Sequence, residues 1–119
     1  MKWLAGIMLI SGSLLADMIA IAGDGNSLSS NISSNASRAN YYIFVDKNGK
    51  ILEILENSFK DTKGGASFQL TQMLKTKEAS HFVASRIGGK LENSLTSNNI
   101  KYTIHKGKIN TFIQQLKEK

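Results

Sequence analysis

Residues 41–56 read Tyr-Tyr-Ile-Phe-Val-Asp-Lys-Asn-Gly-Lys-Ile-Leu-Glu-Ile-Leu-Glu, and they give the clearest structural signal in the chain. Two apolar segments, 41–45 and 51–56, flank a polar reversal in which Asn48-Gly49 supplies the positive φ that a tight turn needs. This pattern predicts a β-hairpin. The two strands of a hairpin are antiparallel, so a sheet that contains this one has at least one antiparallel strand.

The segment before the hairpin combines a short apolar run with a long polar stretch. Residues 18–22, Met-Ile-Ala-Ile-Ala, are continuously apolar and precede Gly23-Asp-Gly-Asn26, which is typical of a strand buried on both faces. Residues 26–40 are almost wholly Ser, Asn and Ala, interrupted by Leu28, Ile32 and Arg38. That composition predicts a loop, and a loop of this length in a small domain is usually functional or mobile.

Helical and strand patterns alternate after the hairpin. Apolar residues at helical spacing predict three helices, and two apolar segments, 80–85 and 100–104, predict strands. The residues that share a helix face are Ala66, Leu70, Met73 and Leu74 in the first helix, Leu91 and Leu95 in the second, and Ile109, Phe112, Ile113 and Leu116 in the third. In the last strand, Ile100, Tyr102 and Ile104 are expected to face the core.

The order of these elements is β, ββ, α, β, α, β, α, which predicts an α/β fold. We expect a mixed sheet of about five strands, mainly parallel, with the hairpin contributing the one antiparallel strand, and about three helices. A chain of 119 residues buries enough surface for one hydrophobic core. A single small domain over residues 17–119 is therefore expected.

Residues 1–16 resemble a secretory signal peptide. Lys2 precedes thirteen uncharged, mostly apolar residues, and the small residue Ala16 follows them. We predict cleavage after Ala16, a periplasmic or secreted protein, and no membrane span after cleavage. The alternative interpretation is an uncleaved membrane anchor through residues 3–22.

Composition excludes several kinds of chemistry. The chain has no cysteine, which excludes disulfides, thiolate-bound zinc, cysteine-held iron–sulfur clusters and thiol nucleophiles. Asp24 and Asp46 have no third carboxylate placed to complete a two-metal centre, and His105 has no second histidine at metal spacing, so no preformed metal site is expected. No nucleophile–base pair is evident, and we predict that the protein is not an enzyme.

The positive charge of the chain does not follow the pattern of a nucleic-acid-binding protein. Fifteen basic residues against nine acidic ones give a formal net charge of +6. The basic residues are scattered and lack stacking aromatic residues at strand centres, so we expect no nucleic-acid partner.

Three loops are predicted to meet at one edge of the sheet, beyond the carboxyl ends of its strands. They are residues 23–40, Lys63-Gly-Gly65 and Arg86-Ile-Gly-Gly89. Glycine amides at helix N-termini, with cations beside them, can bind an anion. The alternative, that each glycine pair only permits a turn and a helix cap, is as well supported for either pair taken alone.

Five short motifs occur in the order found in a known family. They are Ile19-Ala-Ile-Ala-Gly-Asp-Gly25, Ser37-Arg-Ala-Asn-Tyr-Tyr-Ile-Phe-Val-Asp46, Glu56-Asn57, Lys63-Gly-Gly-Ala66 and Ser85-Arg-Ile-Gly-Gly89. Over residues 18–117 the chain resembles the dinitrogenase iron-molybdenum cofactor-binding family, which includes NifX-like domains and the carboxy-terminal part of NifB. The resemblance implies a ribonuclease-H-like domain without nuclease activity that binds or carries an anionic iron–sulfur or iron-molybdenum cluster.

One position departs from the family pattern. The family commonly has His-Phe-Gly-Arg in the first long loop, where this chain has Asn35-Ala-Ser-Arg38. Cluster assembly for nitrogen fixation is cytoplasmic, whereas this chain is predicted to be exported. We therefore infer a retained scaffold with an altered ligand.

Two functions follow as expectations. The first is a non-catalytic carrier for an anionic metallocluster, and the alternative is an exported module that binds a protein partner or a small anion. The expected binding residues are Asp24, Asn35, Arg38, Gly64, Gly65, Arg86, Gly88, Gly89 and His105.

Overall fold

The computed structural model describes residues 18–118, and the predicted signal peptide lies outside this range. Five strands and three helices occur in the predicted order. The strands are β1 (Met18–Gly23), β2 (Tyr41–Asp46), β3 (Ile51–Glu56), β4 (His81–Ala84) and β5 (Lys101–Ile104). The helices are α1 (Ala66–Thr76), α2 (Gly89–Ser97) and α3 (Ile109–Lys117), and a short 3-10 helix covers Ala36–Arg38.

The strands form one mixed sheet in the order β3-β2-β1-β4-β5. β2 is antiparallel to both β1 and β3, whereas β4 is parallel to β1 and to β5. The predicted α/β class, the five strands and the single antiparallel strand are confirmed. The hairpin turn is also as predicted, because Gly49 has a φ of 86° and Asp46 Oδ1 accepts hydrogen bonds from the backbone N–H groups of Asn48 and Lys50.

Alternate residues of the central strand supply two hydrophobic cores, because successive side chains of a strand point to opposite faces. Ala20 and Ala22 of β1 belong to the core that α1 and α2 cover. Ile19 and Ile21 belong to the core that α3 covers. The continuous apolar run of β1 is therefore explained by burial on both faces.

The outer strands are less covered than their sequences suggest. Ile104 of β5, expected to face the core, is 49% exposed, because β5 lies at one edge of the sheet. β3 lies at the other edge and exposes Ile51, Leu52 and Ile54. Alternation in the sequence identifies a strand correctly, but it does not show how far the helices extend over its faces.

The polar loop 26–40 is fixed to the rest of the fold at Ile32 and Ser33. Ile32 is buried, and its N–H donates to the Gly107 carbonyl at 2.8 Å. The Ser33 N–H donates to the Ala22 carbonyl at 2.8 Å, and the Ser33 carbonyl accepts from the Ser85 N–H at 2.9 Å. These bonds join the loop to the ends of β1 and β4.

Within residues 18–118, no helix has the length and apolar character needed to cross a membrane.

Candidate anion-binding site

A cleft of about 230 Å³ lies beyond the carboxyl ends of β1 and β4, and we call it the basic cleft. The connection from β1 leads to β2 on one side, and the connection from β4 leads to β5 on the other, so the chain diverges here. Ligands of open α/β sheets bind at such a divergence. The cleft is lined by Ser34, Asn35, Ala36, Ser37, Arg38, Ser67, Arg86, Gly88, Lys90 and Leu91.

The wall of the basic cleft formed by residues 34–38 rests on a buried polar network. The Tyr42 hydroxyl donates to the Ala36 carbonyl at 2.7 Å, and Asn57 Nδ2 donates to the Ala39 carbonyl at 2.8 Å. Asn57 Nδ2 also lies 3.2 Å from the Tyr42 hydroxyl. Burial raises the pKa of Tyr42, so the hydroxyl keeps its proton and donates throughout the neutral range.

Arg38 has a structural role and a position in the cleft. Its Nη1 donates to the carbonyls of Lys60 and Thr62, each at 2.8 Å. These two bonds fix the guanidinium between the 3-10 helix and the loop that precedes α1. An arginine has five N–H donors, so a guanidinium held through one nitrogen keeps other donors for a ligand.

The opposite wall combines two cations with a helix N-terminus. Arg86 and Lys90 line the cleft, and α2 begins between them at Gly89. No side chain in the described range caps α2. The first N–H groups of a helix have no partner within it and favour negative charge. The three cations Arg38, Arg86 and Lys90 have no acidic counterpart among the described residues that line the cleft.

The structure brings together only part of the predicted set. Asn35, Arg38, Arg86 and Gly88 line the cleft, and Gly89 opens the helix behind it. Gly64 and Gly65 of the second predicted loop do not line the cleft, whereas Ser67, the second residue of α1, does. These glycines have φ of 82° and 76°, values that favour glycine for conformational reasons.

Asp24 also lies outside the basic cleft. It is exposed in the bend after β1, where its N–H donates to the Asn31 carbonyl at 3.0 Å and its carbonyl accepts from Asn40 Nδ2 at 2.9 Å. Its contacts involve the backbone, so its structural role is in the loop.

His105 is separated from the predicted site by the sheet. It follows β5 on the face covered by α3, where its ring lies 5.1 Å from that of Phe112. It shares a second cavity, of about 360 Å³, with His81 and Thr103. The expectation that His105 joins Arg38 at one site is corrected, because β5 directs this side chain to the opposite face.

The second cavity has its own polar contacts. His81 Nε2 and Thr103 Oγ1 are hydrogen-bonded at 2.6 Å, and the Nε2 of His105 is buried without a hydrogen-bond partner in the described structure. Burial, followed by the positive charge of Lys101, lowers the pKa of His81. Within residues 18–118, no group of three or more His, Cys, Asp or Glu side chains is arranged to hold a metal ion.

Sequence reasoning missed several residues of this site. Ser67 and Lys90 are the second residues of α1 and α2, and neither was singled out from the sequence. Asn57 was noted only as part of a family motif. The signal available for Asn57 was its position directly after a strand, where a buried amide can bind the backbone of a neighbouring loop.

Comparisons with known proteins agree with this architecture. The family model described as "Dinitrogenase iron-molybdenum cofactor" matches residues 17–119. The apo form of the orange protein from Desulfovibrio gigas superposes with a TM-score of 0.75 at 20% identity, covering 86% of this chain and 88% of that one. A putative NifB protein from Thermotoga superposes with a TM-score of 0.69 at 27% identity, with the same two coverages. No curated protein matches the chain.

The structure is a small α/β domain with a basic cleft at one edge of its mixed sheet. The match extends over nearly the whole sequence, and the chain belongs to the dinitrogenase iron-molybdenum cofactor family. The family resemblance noted from the motifs is thereby confirmed.

Proposed function

We propose that this chain is a non-catalytic carrier that holds an anionic metal–sulfur cluster in the basic cleft. The observation that carries the proposal is the convergence of Arg38, Arg86 and Lys90 with the uncapped N-terminus of α2. Family membership supports a cluster of the iron-molybdenum or iron–sulfur type as the cargo.

The chemistry of the lining restricts how such cargo is held. The sequence has no cysteine, and both histidines lie on the other face of the sheet from the cleft. Asn35 stands where the family commonly has histidine, and an amide is a poor ligand for such a cluster. We infer that the cargo keeps its own sulfide or other ligands and is bound through charge-assisted hydrogen bonds from the guanidinium and amide N–H groups.

Hydroxyl and amide groups complete the proposed recognition. Ser34, Ser37 and Ser67 line the cleft beside the cations. A hydroxyl can donate to sulfide or oxide at the surface of a cluster while the cations balance its charge. None of these groups is arranged as a nucleophile with a general base, which supports a carrier rather than a catalyst.

Export is part of the same proposal. We infer from residues 1–16 that the protein is secreted or periplasmic after cleavage behind Ala16. An anchor through residues 3–22 does not fit the fold, because residues 18–22 belong to β1, the central strand of the sheet. In an exported protein, cargo would be bound outside the compartment in which nitrogenase clusters are assembled. The family's scaffold is therefore proposed to serve a different cargo or a different pathway here.

Anaerobic titration with isolated iron-molybdenum cofactor, followed by absorbance, tests the carrier function. We expect saturable binding that weakens as salt is raised, because the attraction between the charges is screened. Arg86→Gln is expected to weaken binding about tenfold, as one charge-assisted interaction is lost. Lys47→Gln, which removes an exposed cation in the hairpin turn, is the matched control and should bind as the unmodified protein does.

A parallel titration with molybdate and with phosphate separates the cluster carrier from the small-anion alternative. If either oxyanion binds more tightly than the cofactor, the small-anion function replaces the carrier function. An unchanged affinity of Arg86→Gln for every probe would reject the basic cleft as the binding site.

A further inference from the structure

The exposed apolar side chains of the described structure are concentrated on one edge of the sheet. Five large hydrophobic residues are exposed, and three of them, Ile51, Leu52 and Ile54, belong to the six-residue strand β3. Their exposed fractions are 38%, 48% and 42%. A long apolar edge strand readily pairs with another strand unless charge or a covering segment prevents it.

The backbone of β3 leaves its outer edge available. β3 is the terminal strand of the sheet, and within residues 18–118 only β2 pairs with it. The opposite edge differs, because β5 has four residues, begins at Lys101 and is followed by Lys106. Lysines at both ends discourage pairing at that edge, whereas three exposed side chains of β3 are apolar.

The charges along β3 identify the partner. Lys47 and Lys50 precede the strand and Glu56 is its last residue, so one end is basic and the other is acidic, with Glu53 near the centre. When two copies pair in an antiparallel manner, the basic end of each lies beside the acidic end of the other. A two-fold axis repeats this match, so every favourable charge contact occurs twice.

Glu53 does not oppose this arrangement. Its carboxylate binds Lys77 Nζ of its own chain at 2.8 and 3.0 Å, which balances the acid nearest the centre of the strand. A partner with a single sign of charge would match only one half of β3, whereas a second copy matches both halves.

We propose that two copies of this chain associate through antiparallel pairing of their β3 strands. The pairing continues the sheet from one copy into the other and places Ile51, Leu52 and Ile54 beside side chains of the partner strand. Strand addition of this kind gains main-chain hydrogen bonds along the edge. The shared surface of two six-residue strands is small, so the dimer is weak and dissociates on dilution. The proposal is independent of the cargo, because no residue of β3 lines the basic cleft.

Sedimentation velocity over protein concentrations from about 1 µM to about 1 mM tests the dimer. We expect a monomer–dimer equilibrium that Ile54→Lys shifts to monomer. Phe68→Lys is the matched control, because Phe68 is 64% exposed but lies on α1, and this variant should dimerise normally. Monomer at every concentration, or equal dimerisation of both variants, would overturn the proposal.

Charge exchange between Lys50 and Glu56 tests the antiparallel orientation. Lys50→Glu alone and Glu56→Lys alone each place like charges together twice, and each should weaken the dimer about tenfold. The double variant restores opposite charges and should recover the original affinity. Additive weakening in the double variant would refute antiparallel self-pairing.

Hydrogen exchange distinguishes a second copy from other occupants of the edge. Protection of the outward-facing β3 amides should rise with protein concentration and fall in Ile54→Lys. Protection that is the same at all concentrations would mean that residues 1–17 or another segment covers the edge, and the dimer proposal would be rejected.

Discussion

The Tyr42 hydroxyl is predicted to be the main polar support beneath the basic cleft, and Tyr42→Phe removes it with little change in shape. The ring stays in contact with its aromatic neighbours, Phe59 at 6.2 Å and Phe82 at 6.3 Å between ring centroids. The substitution therefore removes the hydrogen bonds of the hydroxyl while it keeps the packing of the ring. What is lost is donation to the Ala36 carbonyl and the contact with Asn57 Nδ2.

The expected loss of stability follows from these two interactions. A buried acceptor left without its donor costs about 1 to 3 kcal/mol, and the Ala36 carbonyl becomes such an acceptor. Asn57 Nδ2 retains its 2.8 Å bond to the Ala39 carbonyl, so its contribution to the loss is smaller. We expect Tyr42→Phe to lower the free energy of unfolding by about 2 kcal/mol. For a domain of this size, that corresponds to a decrease in Tm of about 10 °C.

Urea unfolding followed by circular dichroism measures the effect, with Tyr41→Phe as the matched control. Tyr41 precedes Tyr42 on the other face of β2, and within residues 18–118 its hydroxyl makes no hydrogen bond. The control should change stability by less than about 0.5 kcal/mol. If Tyr42→Phe were as stable as Tyr41→Phe, residues 36–39 would not depend on this network, and the explanation of how the cleft wall is held would be wrong.

Two further predictions concern pH and backbone conformation. Because burial lowers the pKa of His81, the unfolded chain binds more protons than the folded one near neutrality, so stability should fall from about pH 7.5 to about pH 5.5. Chemical unfolding should show a smaller decrease in His81→Gln, and equal pH slopes would contradict this assignment. Gly65→Ala should lower the free energy of unfolding by about 1 kcal/mol, because φ is 76° at the N-cap of α1. Gly88→Ala is the control with φ of −77° and nothing within 4 Å of an added Cβ, and thermal unfolding that affected both equally would exclude conformational strain as the cause.

The elements that the sequence predicted well are those with local signals. The hairpin follows from Asn48-Gly49 between two apolar segments, and β1 follows from an apolar run long enough for burial on both faces. The α/β order then limits the sheet to few arrangements, because crossovers between parallel strands are right-handed. These properties depend on residues that are close together in the chain.

The candidate site was predicted less completely because its geometry depends on distant residues. The Tyr42–Asn57 contact spans 15 positions, and Arg38 is fixed by carbonyls 22 and 24 positions away. No periodic pattern encodes such contacts. His105 illustrates the same limit, since its place after β5 was predicted correctly, but the face to which it points depends on the register of the sheet.

The position of Ser33 explains how a loop of small polar residues becomes part of a site. Its backbone joins Ala22, at the end of β1, to Ser85, which follows β4, and thus spans the divergence at which the cleft opens. Residues 34–38 follow Ser33 directly in the chain, and Arg86 follows Ser85 directly. The same pair of hydrogen bonds therefore sets the separation of the two arginine-bearing walls. Small side chains suit this loop because its order comes from backbone bonds to the sheet, while Ser34 and Ser37 line the cleft and offer their hydroxyls to a ligand.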